Sequence, residues 1–205
     1  MMTTGIDLTQ IEPGFPDPVF GSQSVFRAVM DAVARPGSIA DLSFAPEPPM
    51  GLGRAAGAVA LTLFDFETPV WLDPSIDQQG AQAWLRFHCG CPLTADPLQA
   101  AFAIVCNPES APALGVFNIG DAKYPDRSTT VLIEVAALTG GPSVALRGPG
   151  IKGQTVVSPT GLPKDFWGQL SENGAQFQFG VDVLLVAGDQ LMALPRSTRI
   201  QTEGV

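Results

Sequence analysis

Apolar residues recur with a helical periodicity in some segments of the chain and form short strand-like runs in others. From Ser22 they return every three or four residues as far as Pro36, which forbids a further helical turn, and this predicts an amphipathic helix. Arg27 and Asp31 are spaced to form an ion pair on its polar side. The predicted apolar face comprises Val25, Phe26, Val29, Met30 and Val33.

Three further helices are predicted. Residues 54–64 are rich in alanine and apolar on almost every side, which is typical of a helix buried between a sheet and another layer. So apolar a helix also predicts self-association of the chain. A third, amphipathic helix should end near Phe87, and Pro163 at a first helical position predicts a fourth helix that carries Leu170.

Short apolar runs bounded by turn residues predict strands. Gly188-Asp189 predicts a tight hairpin between the last two strands, whereas residues 107–127 lack periodicity and predict a surface loop. Helices alternate with strands early and hairpins come late, so the pattern predicts one α/β domain with helices on both faces of a mixed sheet. Residues 1–19 are polar and rich in proline, and predict an arm. The predicted strands are 38–44, 70–72, 102–106, 131–138, 143–147, 155–157, 181–187 and 190–194.

Composition narrows the classes of function. The chain has 205 residues, 45% of them hydrophobic and only 15% charged, and a formal net charge of -9. That charge argues against nucleic acid or an anionic membrane surface as a partner, although a few arginines could still hold a small anion. No apolar run approaches the roughly 18 residues of a membrane span. No export signal is recognised and the three cysteines are odd in number, so we expect a reduced, cytoplasmic protein.

Candidate chemistry concentrates around the only histidine, His88. Arg86 precedes it by two residues, and Cys89 and Cys91 follow it. With Cys106 these thiols and the imidazole could supply four soft ligands, the number that a zinc site needs. However, the two cysteines are one residue apart rather than the usual two, and Cys106 lies in an apolar run typical of a small buried hydrophobe. We therefore expect no metal site.

Residues 51–56, Gly-Leu-Gly-Arg-Ala-Ala, match a dinucleotide-binding fingerprint that opens a helix, and Asp73 follows at about the expected distance. This pattern predicts an alternative function, a nucleotide- or dinucleotide-binding enzyme that uses the Gly51 and Gly53 loop. The fingerprint must directly follow a strand, and here the proline-rich segment 45–49 precedes it. Neither a nucleophile elbow nor a P-loop is found.

Several motifs in register resemble the PhnH family, subunits of the bacterial carbon-phosphorus lyase system. The resemblance extends in order from about Phe20 to Thr198. The motifs that carry it are Ser24-Val25-Phe26-Arg27, Arg35-Pro36-Gly37, Leu61-Thr62-Leu63-Phe64-Asp65, Thr68-Pro69-Val70-Trp71-Leu72, Leu85-Arg86-Phe87-His88, Pro92-Leu93, Phe179-Gly180-Val181-Asp182-Val183-Leu184-Leu185 and Leu194-Pro195-Arg196-Ser197-Thr198.

The resemblance implies a three-layer α/β/α fold related to the large domain of pyridoxal-phosphate-dependent transferases, without that cofactor. It also implies a homodimer that assembles with the other core subunits of the lyase. The complex is linked to attaching a phosphonate to C1 of the ribose of ATP, which gives ribose 1-methylphosphonate 5-triphosphate and releases adenine. No cofactor is expected in this subunit.

Two roles for the chain stay open. In one the chain is a scaffold, which we favour because no nucleophile, base and orienting group come together in the sequence. In the other it contributes a ligand pocket, in which Arg86 and Arg196 grip phosphonate or phosphate oxygens, His88 donates a hydrogen bond or proton, and Asp182 completes the set. Alternatively, Arg86 pairs with Asp182 or Asp65 and is structural.

Overall fold

The computed structural model describes residues 11–42, 44–75 and 78–201. The first ten residues of the predicted arm therefore lie outside the described residues, as does residue 43 of the first predicted strand. Among the described residues, no helix is long and apolar enough to cross a membrane. The α-helices are α1 (Pro18–Ala34), α2 (Arg54–Leu63), α3 (Gln78–His88) and α4 (Phe166–Ala175).

Seven strands form the main sheet, in the order β1-β9-β8-β5-β4-β2-β3. The strands from β8 to β3 are parallel to one another, whereas β9 is antiparallel to both of its neighbours, β8 and β1. The hairpin predicted around Gly188-Asp189 is confirmed as β8–β9. The strands are β1 (Ile39–Asp41), β2 (Val70–Leu72), β3 (Leu93–Thr94), β4 (Phe102–Val105), β5 (Thr130–Glu134), β6 (Val144–Arg147), β7 (Thr155–Val157), β8 (Asp182–Ala187), β9 (Gln190–Leu194) and β10 (Arg199–Ile200).

A second sheet has three antiparallel strands in the order β10-β6-β7. Residues 144–147 form the strand β6 within the predicted range 143–147, and β6 pairs with β7 and β10 rather than with the strand predicted at 131–138. That strand is also shorter than predicted and ends at Glu134. The two-residue strands β3 and β10 were not predicted, since so short a run shows no periodicity.

The main sheet is covered on both faces, as the sequence predicted. Alternate residues of a strand point to opposite faces, so Leu184 and Val186 of β8 pack against α1, α2 and α3, whereas Val183 and Leu185 pack against α4 and the small sheet. This alternation places one apolar cluster on each face of the mixed sheet of an α/β fold. The proposed relation to pyridoxal-phosphate-dependent transferases stays a prediction.

Helix α1 begins earlier than predicted, at Pro18, because Asp17 caps it and accepts hydrogen bonds from the amides of Val19 and Phe20, both at 3.1 Å. Its ion pair joins Asp31 to Arg35 at 3.0 Å, so the predicted pairing of Asp31 with Arg27 is wrong.

The predicted apolar face of α1 is only half correct. Val25 and Val29 are buried with Ala32, but Phe26, Met30 and Val33 are each at least 40% exposed. A helix with apolar residues over a wide arc can turn only part of that arc toward the core, and periodicity does not say which part.

Helix α2 is buried as predicted, with every residue from Ala55 to Ala60 inaccessible to solvent. Its own chain covers it, since α1, α3 and β8 all contact it. The buried face of this helix is therefore not available for self-association, which stays a prediction, whereas α1 exposes several large apolar side chains.

The described part of the predicted arm, residues 11–17, lies against the helical layer. Phe15 is only 9% exposed and packs on Gly21, where any side chain would collide with the Phe15 ring at 2.7 Å. The last two residues of the predicted arm, 18–19, belong to α1.

Candidate functional site

Helix α3 positions the first two candidate residues. Its inner side buries Ala81, Trp84 and Leu85, so Arg86, which follows next in the turn, points away from the core and is exposed. The helix is followed by a reversal at Gly90, whose φ of 66° lies in the left-handed region that favours glycine.

Arg86 lines a cavity of about 410 Å³ between α3 and the edge of the main sheet. Within the described part of the chain, its guanidinium makes neither a hydrogen bond nor an ion pair. A guanidinium with open donors beside a cavity can bind an oxyanion through two parallel hydrogen bonds. The cavity is lined by Trp71, Leu72, Pro74, Gln82, Arg86, Leu93, Thr94 and Ala95.

His88 has a different environment. Its Nε2 lies 3.0 Å from the carbonyl oxygen of Glu12, which also accepts a hydrogen bond from the indole nitrogen of Trp84 at 2.9 Å. The imidazole packs against the rings of Trp84 and Phe87, each at 4.9 Å between centroids. His88 therefore fastens the N-terminal segment to α3.

Asp182 and Arg196 form a cluster of their own at the beginning of β8. The Arg196 guanidinium donates from Nη2 to Asp182 Oδ2 at 2.6 Å and from Nε to Oδ1 at 3.2 Å. It also donates to the Pro125 carbonyl oxygen at 2.8 Å and to the Ser128 hydroxyl. With partners at all three of its nitrogens, Arg196 is held as a structural clamp between two loops.

The structure thus brings two of the four candidates together and keeps the others apart. Asp182 pairs with Arg196, so it does not pair with Arg86. Asp65 accepts hydrogen bonds from the Thr68 hydroxyl at 2.7 Å and the Glu67 amide at 2.9 Å, and the Thr68 bond lowers the pKa of Asp65. A ligand role for Arg86, His88, Asp182 and Arg196 stays a prediction.

A second polar cavity, which the sequence did not indicate, lies at the carboxyl ends of β4 and β5. Open α/β sheets commonly bind ligands at such strand ends. Its volume is about 430 Å³, and its polar lining includes Cys106, Asn107, Glu109 and Glu134. Glu134 is the single polar residue in the apolar run 131–138, and that interruption was the available signal.

Glu134 reaches across to the beginning of α2. Its Oε1 accepts a hydrogen bond from the Gly53 amide at 2.6 Å, so a residue far along the chain caps a helix that lacks a side-chain cap of its own. A Cβ at Gly53 would lie 2.9 Å from the carboxyl group, which explains the glycine. Burial raises the pKa of Glu134, and nearby Asp73 raises it further.

These contacts weaken the dinucleotide interpretation. The Gly53 amide that would bind a pyrophosphate already binds a carboxylate, which would repel that anion. Asp73, which was expected to accept a hydrogen bond from the ribose, is only 2% exposed. Its Oδ2 accepts hydrogen bonds from the backbone amides of Cys106 and Asn107, both at 3.0 Å. The residues directly before Gly51 have no regular secondary structure, whereas the fingerprint must directly follow a strand.

The three cysteines lie in two separate regions of the structure. Cys106 lies by Glu134, where burial raises its pKa, whereas Cys89 and Cys91 lie beyond α3. Within the described ranges, no three His, Cys, Asp or Glu side chains are close enough to hold a metal ion.

Comparison with known proteins identifies the protein family of the chain. The family model named PhnH, described as a bacterial phosphonate metabolism protein, matches residues 13–201. A relative from Rhizobium meliloti (strain 1021), the alpha-D-ribose 1-methylphosphonate 5-triphosphate synthase subunit PhnH, is 46% identical over 196 residues, which are 95% of this chain and 98% of the relative. A putative C-P lyase subunit protein HtxG from Stutzerimonas stutzeri is 37% identical over 86 residues, 42% of this chain and 44% of the relative. With the fold and these matches together, the chain belongs to the PhnH family of bacterial phosphonate metabolism proteins.

Proposed function

We propose that this protein is a subunit of a bacterial alpha-D-ribose 1-methylphosphonate 5-triphosphate synthase and acts in carbon-phosphorus lyase metabolism of phosphonates. The observation that carries the proposal is the match to the Rhizobium meliloti subunit, which extends over 98% of that relative at 46% identity. Within the complex, the chain would support formation of the ribose 1-methylphosphonate 5-triphosphate from ATP and a phosphonate. Its own contribution is mainly assembly.

Recovery of partners tests the subunit role. A tagged chain expressed in a phosphonate-utilising host grown on methylphosphonate should co-purify with the other core subunits of the lyase, identified by mass spectrometry. The same host grown on phosphate, with the tagged chain expressed from a plasmid, supplies the background. Recovery of the tagged chain alone under both conditions would contradict the proposal.

The exposed face of α1 supports the assembly role and self-association as a homodimer. Its large apolar side chains are Val19, Phe20, Phe26, Met30 and Val33, each at least 40% exposed. An apolar surface of this extent on one helix is typical of an interaction site. An adjoining groove contains both Asp17 and Arg27. Because a twofold interface must be complementary to itself, a groove with both signs of charge suits a second copy of the chain.

Light scattering of variants tests this surface. Phe26→Glu should lower the mass from dimer to monomer without lowering the melting temperature, since Phe26 is 49% exposed and contributes little to the core. Val156→Glu is the matched control, because Val156 is 57% exposed on the small sheet. A monomeric wild-type protein, or a dimeric Phe26→Glu variant, would contradict the proposed surface.

The Arg86 guanidinium, which has no hydrogen-bond or ion-pair partner among the described residues, supports a second contribution, a pocket for phosphonate or phosphate oxygens. The other candidate cation, Arg196, is already saturated by its own chain. No cofactor is expected, and Lys123, Lys152 and Lys164 are all exposed rather than placed in a cavity that could hold a pyridoxal ring. The purified protein should therefore be colourless, and an absorption band abolished by borohydride would contradict that prediction.

A further inference from the structure

The cavity beside Arg86 belongs to one strand–helix–strand unit of the main sheet. Strands β2 and β3 are parallel neighbours, with Trp71 opposite Thr94, and α3 lies between them in the chain. Leu72 and Thr94, the last residues of the two strands, both line the cavity. Strands β3 and β4 flank β2 on opposite sides, so the strand order reverses at β2. Open α/β sheets bind ligands at the carboxyl ends of strands where the order reverses.

Helix α3 supplies the polar side of the cavity. Gln82 and Arg86 both line it, because residues four apart share one face of a helix. Thr94 also lines it, but its hydroxyl accepts a hydrogen bond from the Asp96 amide at 3.1 Å and donates to the Asp96 carbonyl oxygen at 3.3 Å. The guanidinium of Arg86, which has no partner among the described residues, is therefore the group that would hold the charge of a ligand.

The charge of the lining suits one anionic group and opposes several. Arg86 is the one basic side chain among the described residues of the lining. All 11 lysines and arginines of the chain lie within the described ranges, so none is left to join it. Between the lining residues Leu72 and Pro74, the chain places the buried carboxylate of Asp73. A triphosphate carries several negative charges, which one guanidinium beside a carboxylate does not balance.

The rest of the lining is largely apolar. It comprises Trp71, Leu72, Pro74, Leu93 and Ala95. Leu72 is 7% exposed, and with the half-buried Leu93 it belongs to the apolar cluster on the face of the sheet that α3 covers. Their side chains therefore lie on the same side of the sheet as α3. An apolar group that leaves water for such a wall gains binding free energy in proportion to the area that it buries.

The cavity is larger than an oxyanion headgroup. Its volume of about 410 Å³ lies within the range of roughly 300–1,000 Å³ that is typical of small-molecule sites. One phosphonate group with a methyl group fills only part of it, which leaves space for a larger substituent on phosphorus. Inorganic phosphate has no carbon substituent and would leave the apolar lining without a contact.

We propose that this cavity binds an organophosphonate, whose oxygens pair with Arg86 and whose alkyl or aryl substituent packs on Leu72 and Leu93, and that it excludes ATP. This assignment rests on the proposed function and gives the chain the phosphonate rather than the nucleotide of the two substrates. A carboxylate with the same tail has similar chemistry. It carries less charge, however, and has no third oxygen for the neighbouring Gln82.

Isothermal titration calorimetry of the purified full chain tests the assignment with defined probes. Affinity should rise from methylphosphonate to propylphosphonate by about fourfold for each methylene that the wall buries. Inorganic phosphate should bind more weakly than methylphosphonate, and ATP should not displace propylphosphonate. Butyrate, which has the same three-carbon tail as propylphosphonate, should bind more weakly than it.

Three substitutions locate the site. Arg86→Lys should weaken propylphosphonate binding by about tenfold or more, because lysine cannot give a planar pair of hydrogen bonds. Arg35→Lys is the control, since Arg35 is exposed in an ion pair on α1 and should leave the affinity unchanged. Leu93→Ala should reduce the gain from methylphosphonate to propylphosphonate, because it removes part of the apolar wall. Melting temperatures of all three variants separate lost binding from lost folding.

Four results would overturn the assignment. They are equal affinities for methylphosphonate and propylphosphonate, butyrate that binds as tightly as propylphosphonate, displacement of propylphosphonate by ATP, and unchanged binding in a folded Arg86→Lys variant. Failure of the proposed function would look different. A chain that co-purifies with the lyase subunits but binds no phosphonate contradicts this assignment alone, whereas a chain that binds propylphosphonate but recovers no subunits contradicts the subunit role.

Discussion

Arg86 and Arg196 have opposite surroundings in the same protein. Arg196 has a side chain only 15% exposed and gives its donors to Asp182, the Pro125 carbonyl and the Ser128 hydroxyl. Arg86 is exposed beside a cavity and makes no hydrogen bond to the described residues. The fold occupies the donors of Arg196, whereas the described residues leave the donors of Arg86 without a partner.

The contrast teaches how to separate a structural cation from a binding one. Substitution of a structural arginine lowers stability, because its carboxylate partner is left partly buried without a counterion. A binding cation reveals itself when substitution changes ligand affinity and leaves stability alone. Four substitutions, ordered from the largest expected effect on stability to the smallest, test this separation.

Arg196→Lys should cost about 2–3 kcal/mol of unfolding free energy, because lysine keeps the charge but cannot serve three partners, and Asp182 is left partly buried without its two-pronged partner. Urea denaturation measures the loss. Arg35→Lys is the control, since its ion pair with Asp31 is more than 60% exposed on both sides and should contribute under about 0.5 kcal/mol. Equal effects of the two substitutions would break the comparison.

Glu134 lies between Arg196 and Arg86 in its surroundings, because it is half-buried and accepts a hydrogen bond from Gly53 but has no cationic partner among the described residues. Its raised pKa means that the folded protein binds a proton more tightly than the unfolded chain, so stability should fall as pH rises from the ordinary glutamate range through the raised value. Glu134→Gln should flatten that part of the stability profile. Identical pH profiles for the two proteins would contradict the assignment.

His88→Ala should cost about 1 kcal/mol, the usual contribution of one hydrogen bond, because the Glu12 carbonyl loses one of its two donors. The N-terminal segment should also become more sensitive to limited proteolysis. His88→Asn is the matched variant, because its side-chain amide can still donate a hydrogen bond to a carbonyl oxygen and should restore protection from the protease. Unchanged proteolysis in His88→Ala would show that the histidine does not fasten the segment.

Arg86→Lys should change the unfolding free energy by less than about 0.5 kcal/mol, since an exposed side chain that has no partner in the described part of the chain contributes little. It should nevertheless abolish growth on methylphosphonate as sole phosphorus source in a strain that depends on this subunit, because lysine cannot give a planar pair of hydrogen bonds to an oxyanion. Normal growth with normal co-purification of the lyase subunits would end the claim for a pocket at Arg86.

The Arg196 clamp could have been predicted from the sequence. The hairpin β8–β9 pairs Val183 with Leu194, and extending that register by one step sets Asp182 beside Pro195 and Arg196. Both residues were identified as candidates, and the turn at Gly188-Asp189 was predicted correctly. The register of a two-residue hairpin loop fixes which side chains meet.

The Glu134 contact could not have been predicted in the same way. Gly53 and Glu134 are 81 residues apart and meet only after β5 has paired with its parallel neighbours. Such pairings depend on crossover connections rather than on a local turn. The exposed side of α1 was missed for a related reason, because its apolar arc is wider than the strip that the sheet can cover.

The pairing of β1 with β9 joins the first strand of the main sheet in chain order to its last. Helix α1 also contacts β9, so α1 and β1 both depend on a strand that the ribosome makes long after them. A nascent chain can pack only against segments that have already emerged. A premature stop before Gln190 would therefore disorganise α1 and β1 as well as remove β9.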